Sequence, residues 1–328
     1  MLFIDLGILA AGLICLVFAG DFLVRGAVSV ALKLGVSRIL ASVIIVGFGT
    51  SAPEMLVAIE ATMDGLPGLA LGNIVGSNIA NVLLVLGAPA LFCSLHTTGT
   101  GLRRSVIVTA LATIAWLVIT PTIGLSFGVG LAFIGCLVAY ILGSLVFPPG
   151  GNADELIADE VAETPPGWVK TALFISVGIV GLPLGARLAI MGATSIAEAY
   201  SLQSELVGLT LLAVGTSLPE FAAAMAAARR QEHDVVLGNV AGSMMFNILG
   251  AGGIIAFFGP IALPQIFETF DHWFMGASMA VVLLYALLRR SIGWFTGTLL
   301  LLAYVVYLFG LHHFYILGED WRTIWSWG

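Results

Sequence analysis

The sequence predicts an all-α polytopic membrane protein, with ten transmembrane helices arranged as two inverted five-helix repeats. Three observations carry this. The 328 residues are 59% hydrophobic and 9% charged, whereas soluble domains run near 25% charged. Apolar runs of bilayer-spanning length, about 20 residues each, recur along the chain. Two polar blocks are duplicated 166 positions apart with no gap between the copies. Gly49 to Glu54 reads G-T-S-A-P-E and Gly215 to Glu220 reads G-T-S-L-P-E. Gly72 to Asn81 reads G-N-I-V-G-S-N-I-A-N and Gly238 to Asn247 reads G-N-V-A-G-S-M-M-F-N.

The predicted spans are 3–25, 38–63, 69–92, 105–123, 126–147, 169–197, 206–228, 235–258, 272–289 and 292–316. Within the first, Leu6 to Ala19 has the length of a signal-peptide core. Asp5 stands where a leader carries positive charge, and the apolar run continues past Gly20, so a retained helix is expected. Residues 1–147 make the first five-helix half and 169–328 the second. The linker between them, 148–168, carries Asp154, Glu155, Asp159, Glu160 and Glu163. Those acids are either a solvated loop or a regulatory cation site.

Basic residues set the orientation, because cytoplasmic loops hold the excess of Lys and Arg. With the N-terminus outside, Arg25, Lys33, Arg38, Arg103, Arg104, Lys170, Arg229, Arg230, Arg289 and Arg290 fall on the cytoplasmic side. Only Arg187 and Arg322 fall outside. Ten spans then put both termini outside and the linker inside. An odd number of spans per half inverts the second copy relative to the first, a transporter plan with its site at the repeat interface.

The duplicated blocks fall in the second, third, seventh and eighth spans. A carboxylate at mid-bilayer costs roughly 2.5–3.5 kcal/mol on insertion scales and marks function by default. Of nineteen Asp and Glu, only Glu54 and Glu220 are expected deep in a span with no basic residue nearby. Asp21 has Arg25 one turn away. Glu60 and Asp64, at the outer end of the second span, either funnel cations or are solvated helix-end charges. Pro53 and Pro219 are read as mid-helix, where each removes an amide donor and loosens the preceding turn. Carbonyls at Gly47, Gly49, Thr50, Ala213, Gly215 and Thr216 are thereby exposed to a new partner, and a bound cation is one. Thr50, Ser51, Thr216 and Ser217 add hydroxyls. Thr50 and Glu54, like Thr216 and Glu220, are four residues apart and share a helix face.

Gly72, Gly76, Gly238 and Gly242 are small-residue steps that let helices approach closely. Ser77 and Asn81, like Ser243 and Asn247, lie one turn apart and can face one centre. Asn73 and Asn239, nearer the helix ends, are either ligands or interhelical hydrogen bonders. The donor set is carboxylate, hydroxyl, amide and carbonyl oxygen, which suits hard cations such as Ca²⁺ and Na⁺. His96, His233, His272, His312 and His313 fall near predicted ends or loops, and Cys15, Cys93 and Cys136 are isolated.

Paired G-T-S-x-P-E and G-N-x-x-G-S motifs resemble the alpha repeats of the cation/calcium exchanger superfamily, and are most similar to its short prokaryotic sodium/calcium antiporters. The resemblance covers essentially the whole chain. It implies secondary active exchange of Na⁺ for Ca²⁺ by alternating access, with ions held mid-membrane between helices 2, 3, 7 and 8. It makes Glu54 and Glu220 bridging carboxylates, and Thr50, Ser51, Ser77, Thr216, Ser217 and Ser243 side-chain or backbone ligands. Asn81 and Asn247 become polar companions, and the carbonyls of Gly47 and Ala213 further ligands. The first and sixth spans resemble the family's sliding gate helices. Many members carry Asp at the position of Asn247 and S-N at Ser243-Met244, so a third carboxylate is lacking. The alternative is an exchanger of H⁺ for Ca²⁺ or another divalent cation.

Other classes fit less well. The scattered basic residues exclude a nucleic-acid binder. No nucleophile with a base, metal-binding His set or acidic loop cluster lies at depth, so no enzyme is expected. A channel builds its pore from symmetric copies, not from two halves of one chain. No cofactor and no obligatory protein partner are implied; the surroundings are the lipid bilayer.

Overall fold

The computed structural model describes residues 2–33, 49–97, 100–146, 166–231 and 233–316. In chain order the helices are α1 (Leu2–Lys33), α2 (Thr50–Met63), α3 (Pro67–Ala90), α4 (Thr100–Ile123), α5 (Phe127–Val146) and α6 (Trp168–Ala199). There follow α7 (Ser204–Thr216), α8 (Leu218–Arg229), α9 (Val235–Phe258), α10 (Phe267–Leu288) and α11 (Trp294–Ile316). Among the described residues eight helices are long and apolar enough to cross a membrane, or nine if α7 and α8, bent by 42°, form one span. The second predicted span, 38–63, lies among the described residues only from Gly49 onward, and the linker acids lie outside them.

Burial separates a centre from a periphery. The most apolar windows of α3 and α9 are 94% and 83% buried, against 22–39% for the other six long helices. Apolar all round but enclosed by protein, α3 and α9 form the middle of the bundle. Their small residues permit this: a methyl group on Gly72 would fall 2.5 Å from the Glu205 carbonyl oxygen of α7. Each central helix also widens into a π-helical turn, at Asn81–Leu86 and at Phe246–Ala251. Such turns recur at functional sites, because an extra residue re-aims the side chains around it.

The sequence repeat appears as reciprocal contacts. α1 and α6 are both 32 residues long, and α6 begins 166 residues after α1. They pack antiparallel along their length: Leu9 against Gly192, Leu16 against Gly185, Leu23 against Gly178 and Ile175 against Gly26. A methyl on Gly178 would sit 2.5 Å from Leu23 Cβ. These two corresponding helices therefore run in opposite directions. Backbone bridges join Leu95 to Ile292 and Leu125 to Ile261, each through two N–H···O bonds of 2.8–2.9 Å. The partners exchange within one residue under the same 166-residue offset.

The remaining helices turn apolar side chains outward, among them Phe18, Leu111, Ile114, Val118, Leu131, Val180, Leu299 and Phe309. Trp168 and Trp294 are exposed in the first turns of α6 and α11, and Trp273 in the second turn of α10, where an amphipathic ring suits a membrane interface.

Three expectations need correction. α1 runs past its apolar window to Lys33, held there by Ser29 Oγ on Thr171 Oγ1 (2.6 Å) and by Lys33 Nζ donating to Thr171 Oγ1 (2.8 Å). The ninth span begins at Phe267, which draws Asp271 into the helix and out of solvent. Pro219 is not mid-helix: α7 ends at Thr216, and Pro219 is the second residue of α8. Proline has no amide hydrogen to continue the ladder and crowds the turn before it, so the chain breaks at Ser217. Pro53 stays inside α2.

Candidate functional site

Glu54 on α2 and Glu220 on α8 are both fully buried. Each lies within electrostatic reach of the other. Thr216, Ser217, Thr50 and Ser243 face them, and Ser77 joins this group through Thr216 and the Ala213 carbonyl; Ser51, Asn81 and Asn247 are buried as well, with no position relative to the pair fixed by a contact. Thr50 is half-buried and forms the edge of the cluster. Gly47 lies outside the described residues.

The pairing crosses the repeat. Glu54 faces Thr216 and Ser217 of the second half, and Glu220 faces Thr50 of the first half together with Ser243. Thr50 Oγ1 lies 3.2 Å from Ser243 Oγ, and the equivalent pair, Ser77 Oγ and Thr216 Oγ1, is 3.4 Å apart. Each carboxylate thus faces a hydroxyl of the opposite copy.

Satisfaction of polar atoms is uneven. Both oxygens of Glu54 and of Glu220, Ser51 Oγ, Ser217 Oγ and both amide atoms of Asn81 and Asn247 have no hydrogen-bond partner. Buried polar atoms are normally paired, and each exception calls for a reason. An isolated buried carboxylate is costly enough that it is found paired or coordinating a metal. Among the described residues no basic side chain faces either glutamate. The Ala213 carbonyl, by contrast, accepts from Ser217 N at 3.2 Å and from Ser77 Oγ and Thr216 Oγ1 at 3.5 Å.

Asn73 and Asn239 do structural work on the site. Asn73 Nδ2 donates to the Glu54 carbonyl at 3.2 Å, and Asn239 Nδ2 donates to the Glu220 carbonyl at 3.2 Å. Each asparagine thus fixes the backbone that carries its glutamate. Asn73 Oδ1 also accepts from Thr216 Oγ1 at 3.3 Å, tying the first half to the second. The interhelical reading was the right one. The identical G-N step in both copies was the available signal, but it did not say which atom each amide holds.

Two acids beyond the pair are buried as well, which corrects the acid inventory. Glu60 on α2 forms a salt bridge with Arg187 of α6 and is neither a funnel nor a solvated charge. Asp271 is fully buried and accepts from Tyr307 Oη at 2.8 Å and Tyr315 Oη at 2.7 Å. Sequence reasoning missed it because both tyrosines are more than thirty residues away. His272 beside it is buried too, against the expectation of an exposed helix end.

A cavity of about 400 Å³ runs from Thr50, Pro53 and Asn239 to Asp21, Arg25 and Arg230, between α1, α2, α8 and α9. It brings the edge of the cluster to the surface on one side. Among the described residues no group of three or more His, Cys, Asp or Glu is arranged to hold a metal. The cluster is a two-carboxylate, oxygen-rich centre.

Comparisons with known proteins bear on this arrangement. A family described as "Sodium/calcium exchanger protein" matches residues 4–146 and 170–311. The Escherichia coli inner membrane protein YrbG is 30% identical over 92% of the chain and 94% of its own length. The sodium/calcium exchanger MaX1 of Methanosarcina acetivorans is 28% identical over 96% and 100%. Among solved structures, the sodium-calcium exchanger NCX_Mj matches with a TM-score of 0.66 at 29% identity, covering 93% of this chain and 98% of that one.

Proposed function

This chain belongs to the sodium/calcium exchanger protein family, and from that premise we propose that it exchanges Na⁺ for Ca²⁺ by alternating access at the Glu54–Glu220 centre. The family is one of transporters, so the chain is a multi-pass membrane protein and not an enzyme, and Na⁺ and Ca²⁺ are its substrates. The observation that carries the specific reading is the pair of fully buried carboxylates, faced by hydroxyls and by no basic side chain among the described residues, where the two halves meet.

The chemistry follows from charge and donor type. Two carboxylates balance one Ca²⁺ or two Na⁺. Ca²⁺ takes six to eight oxygens in flexible geometry. Glu54 and Glu220 supply the charge, and Thr50, Ser51, Ser77, Thr216, Ser217 and Ser243 the neutral oxygens. Asn81 and Asn247 contribute through Oδ1, and the carbonyls of Gly47 and Ala213 complete the set. Because both cations need the same carboxylates, occupancy by one expels the other, and that competition couples the two fluxes.

The membrane arrangement proposed is ten helices as two inverted five-helix repeats, N-terminus outside, in the plasma membrane of a prokaryote. The cavity edged by Arg25 and Arg230 then opens to the cytoplasm. The α1–α6 pair, which packs along its length by small residues, is the element that slides to close it.

The test is ⁴⁵Ca²⁺ uptake into Na⁺-loaded proteoliposomes diluted into Na⁺-free medium. Uptake that collapses when internal Na⁺ is replaced by choline supports the reading. Uptake indifferent to Na⁺ but driven by a pH gradient replaces it with H⁺/Ca²⁺ exchange, for which two facing buried carboxylates are equally suited as proton carriers.

A further inference from the structure

The two halves are equivalent in sequence but not in state. α2 and α8 correspond under the 166-residue offset, as do α1 and α6. On α2, Val57 and Glu60 are buried against their surroundings. Their counterparts on α8, Ala223 and Ala226, are exposed and line the cavity. One end of the protein is therefore closed and the other open.

The charges at the two ends follow the same offset with their signs exchanged. At the closed end Arg187 of α6 bonds Glu60 of α2 through Nε, and Asp64, one turn further and capping α2, also acts on its guanidinium. At the open end the counterpart of Arg187 is Asp21 on α1, and the counterpart of Asp64 is Arg230, which caps α8. Asp21 and Arg230 line the same cavity. Asp21 is instead held within its own helix by Arg25, Nε to Oδ1 at 3.0 Å. A cation on the sliding pair facing acids on the fixed core at one end thus becomes an acid facing a cation at the other.

We infer that Arg187 with Glu60 and Asp64, and Asp21 with Arg230, are two charge-inverted latches that alternately tie the α1–α6 pair to the core at opposite ends of the membrane. The inference rests on the alternating-access reading. In the conformation seen, the outer latch is made, and at the inner end Asp21 is held by Arg25. When the pair slides to close the cavity, Asp21 leaves Arg25 for Arg230 while Arg187 leaves Glu60 and Asp64. One tie between the sliding pair and the core replaces another, and bound cations decide between the two states. These are positioning residues, and none belongs to the cation centre.

The experiment reads both ends at once. In proteoliposomes of the full chain with Cys15, Cys93 and Cys136 replaced by alanine, Ala223→Cys reports the inner end and Val57→Cys the outer. A membrane-impermeant maleimide is applied from the matching side. Arg187→Gln is expected to lower the ratio of inner to outer labelling about fivefold, the shift given by losing one partly exposed ion pair. Arg187→Lys restores most of the ratio, Arg230→Gln raises it, and Arg187→Gln combined with Arg230→Gln returns it toward the parent value. Asp64→Asn serves as a milder outer variant should Arg187→Gln not fold. If saturating Na⁺ or Ca²⁺ moves the parent ratio but these variants do not, the latches are refuted and alternating access stands. If neither ions nor variants move it, both are overturned.

Discussion

Replacing Glu54 by glutamine removes one of the two unit charges at the centre while keeping the side chain's size and one carbonyl oxygen. Two unit charges 4 Å apart interact by about 4 kcal/mol at an effective dielectric of 20, hence about 8 kcal/mol for a divalent ion. Part of that is offset, because the carboxylate no longer bears its own burial cost in the apo state. Even if half is cancelled, about 4 kcal/mol remains. At 1.4 kcal/mol per tenfold, Ca²⁺ affinity falls by two to three decades. Glu220→Gln is expected to do the same within a factor of about three, since each carboxylate lies at the matching position of its repeat and faces a threonine of the other copy. The assay is ⁴⁵Ca²⁺ binding to the detergent-purified protein, with gradient-driven uptake alongside and circular dichroism to verify folding. A folded Glu54→Gln protein that binds Ca²⁺ within threefold of the parent refutes the placement of the cation at this pair. A strongly unequal pair of variants refutes the symmetric sharing of the charge.

Asn73→Ala removes the donor to the Glu54 carbonyl and the acceptor for Thr216; at about 1 kcal/mol per hydrogen bond, it should raise the Ca²⁺ KM more than Asn239→Ala, whose counterpart bonds only the Glu220 carbonyl. Equal KM values for the two would show that the Asn73–Thr216 contact is idle. Asn247→Asp adds a third carboxylate to the buried centre, so Ca²⁺ affinity should rise at alkaline pH and fall more steeply than the parent's as acidification protonates the new ligand; parallel pH profiles would contradict this. Asp271→Asn weakens two charge-assisted bonds from Tyr307 and Tyr315, each worth about 1.5–3 kcal/mol, and should lower the melting temperature in detergent without changing cation selectivity.

Much was fixed by the chain alone. Composition and run length dictate a helical membrane protein, because every backbone polar group in a bilayer must be satisfied internally. The gapless 166-residue repeat singles out Glu54 and Glu220 among nineteen acids, since a buried charge retained in both copies has no structural excuse. Periodicity along one helix then groups hydroxyls and amides with each glutamate.

Tertiary structure alone decided which groups meet. A helical repeat specifies faces relative to its own axis, and the neighbour of a face is set by segments far away in sequence. Glu54 faces Thr216 and Ser217, more than 160 residues on in the other half. Asp271 sits among tyrosines 36 and 44 residues on, and Glu60 finds Arg187 across 127 residues. The open end is likewise invisible in the sequence: two nearly equivalent halves carry no sign of which is parted, and only the packing of α1 and α6 against the core breaks the tie.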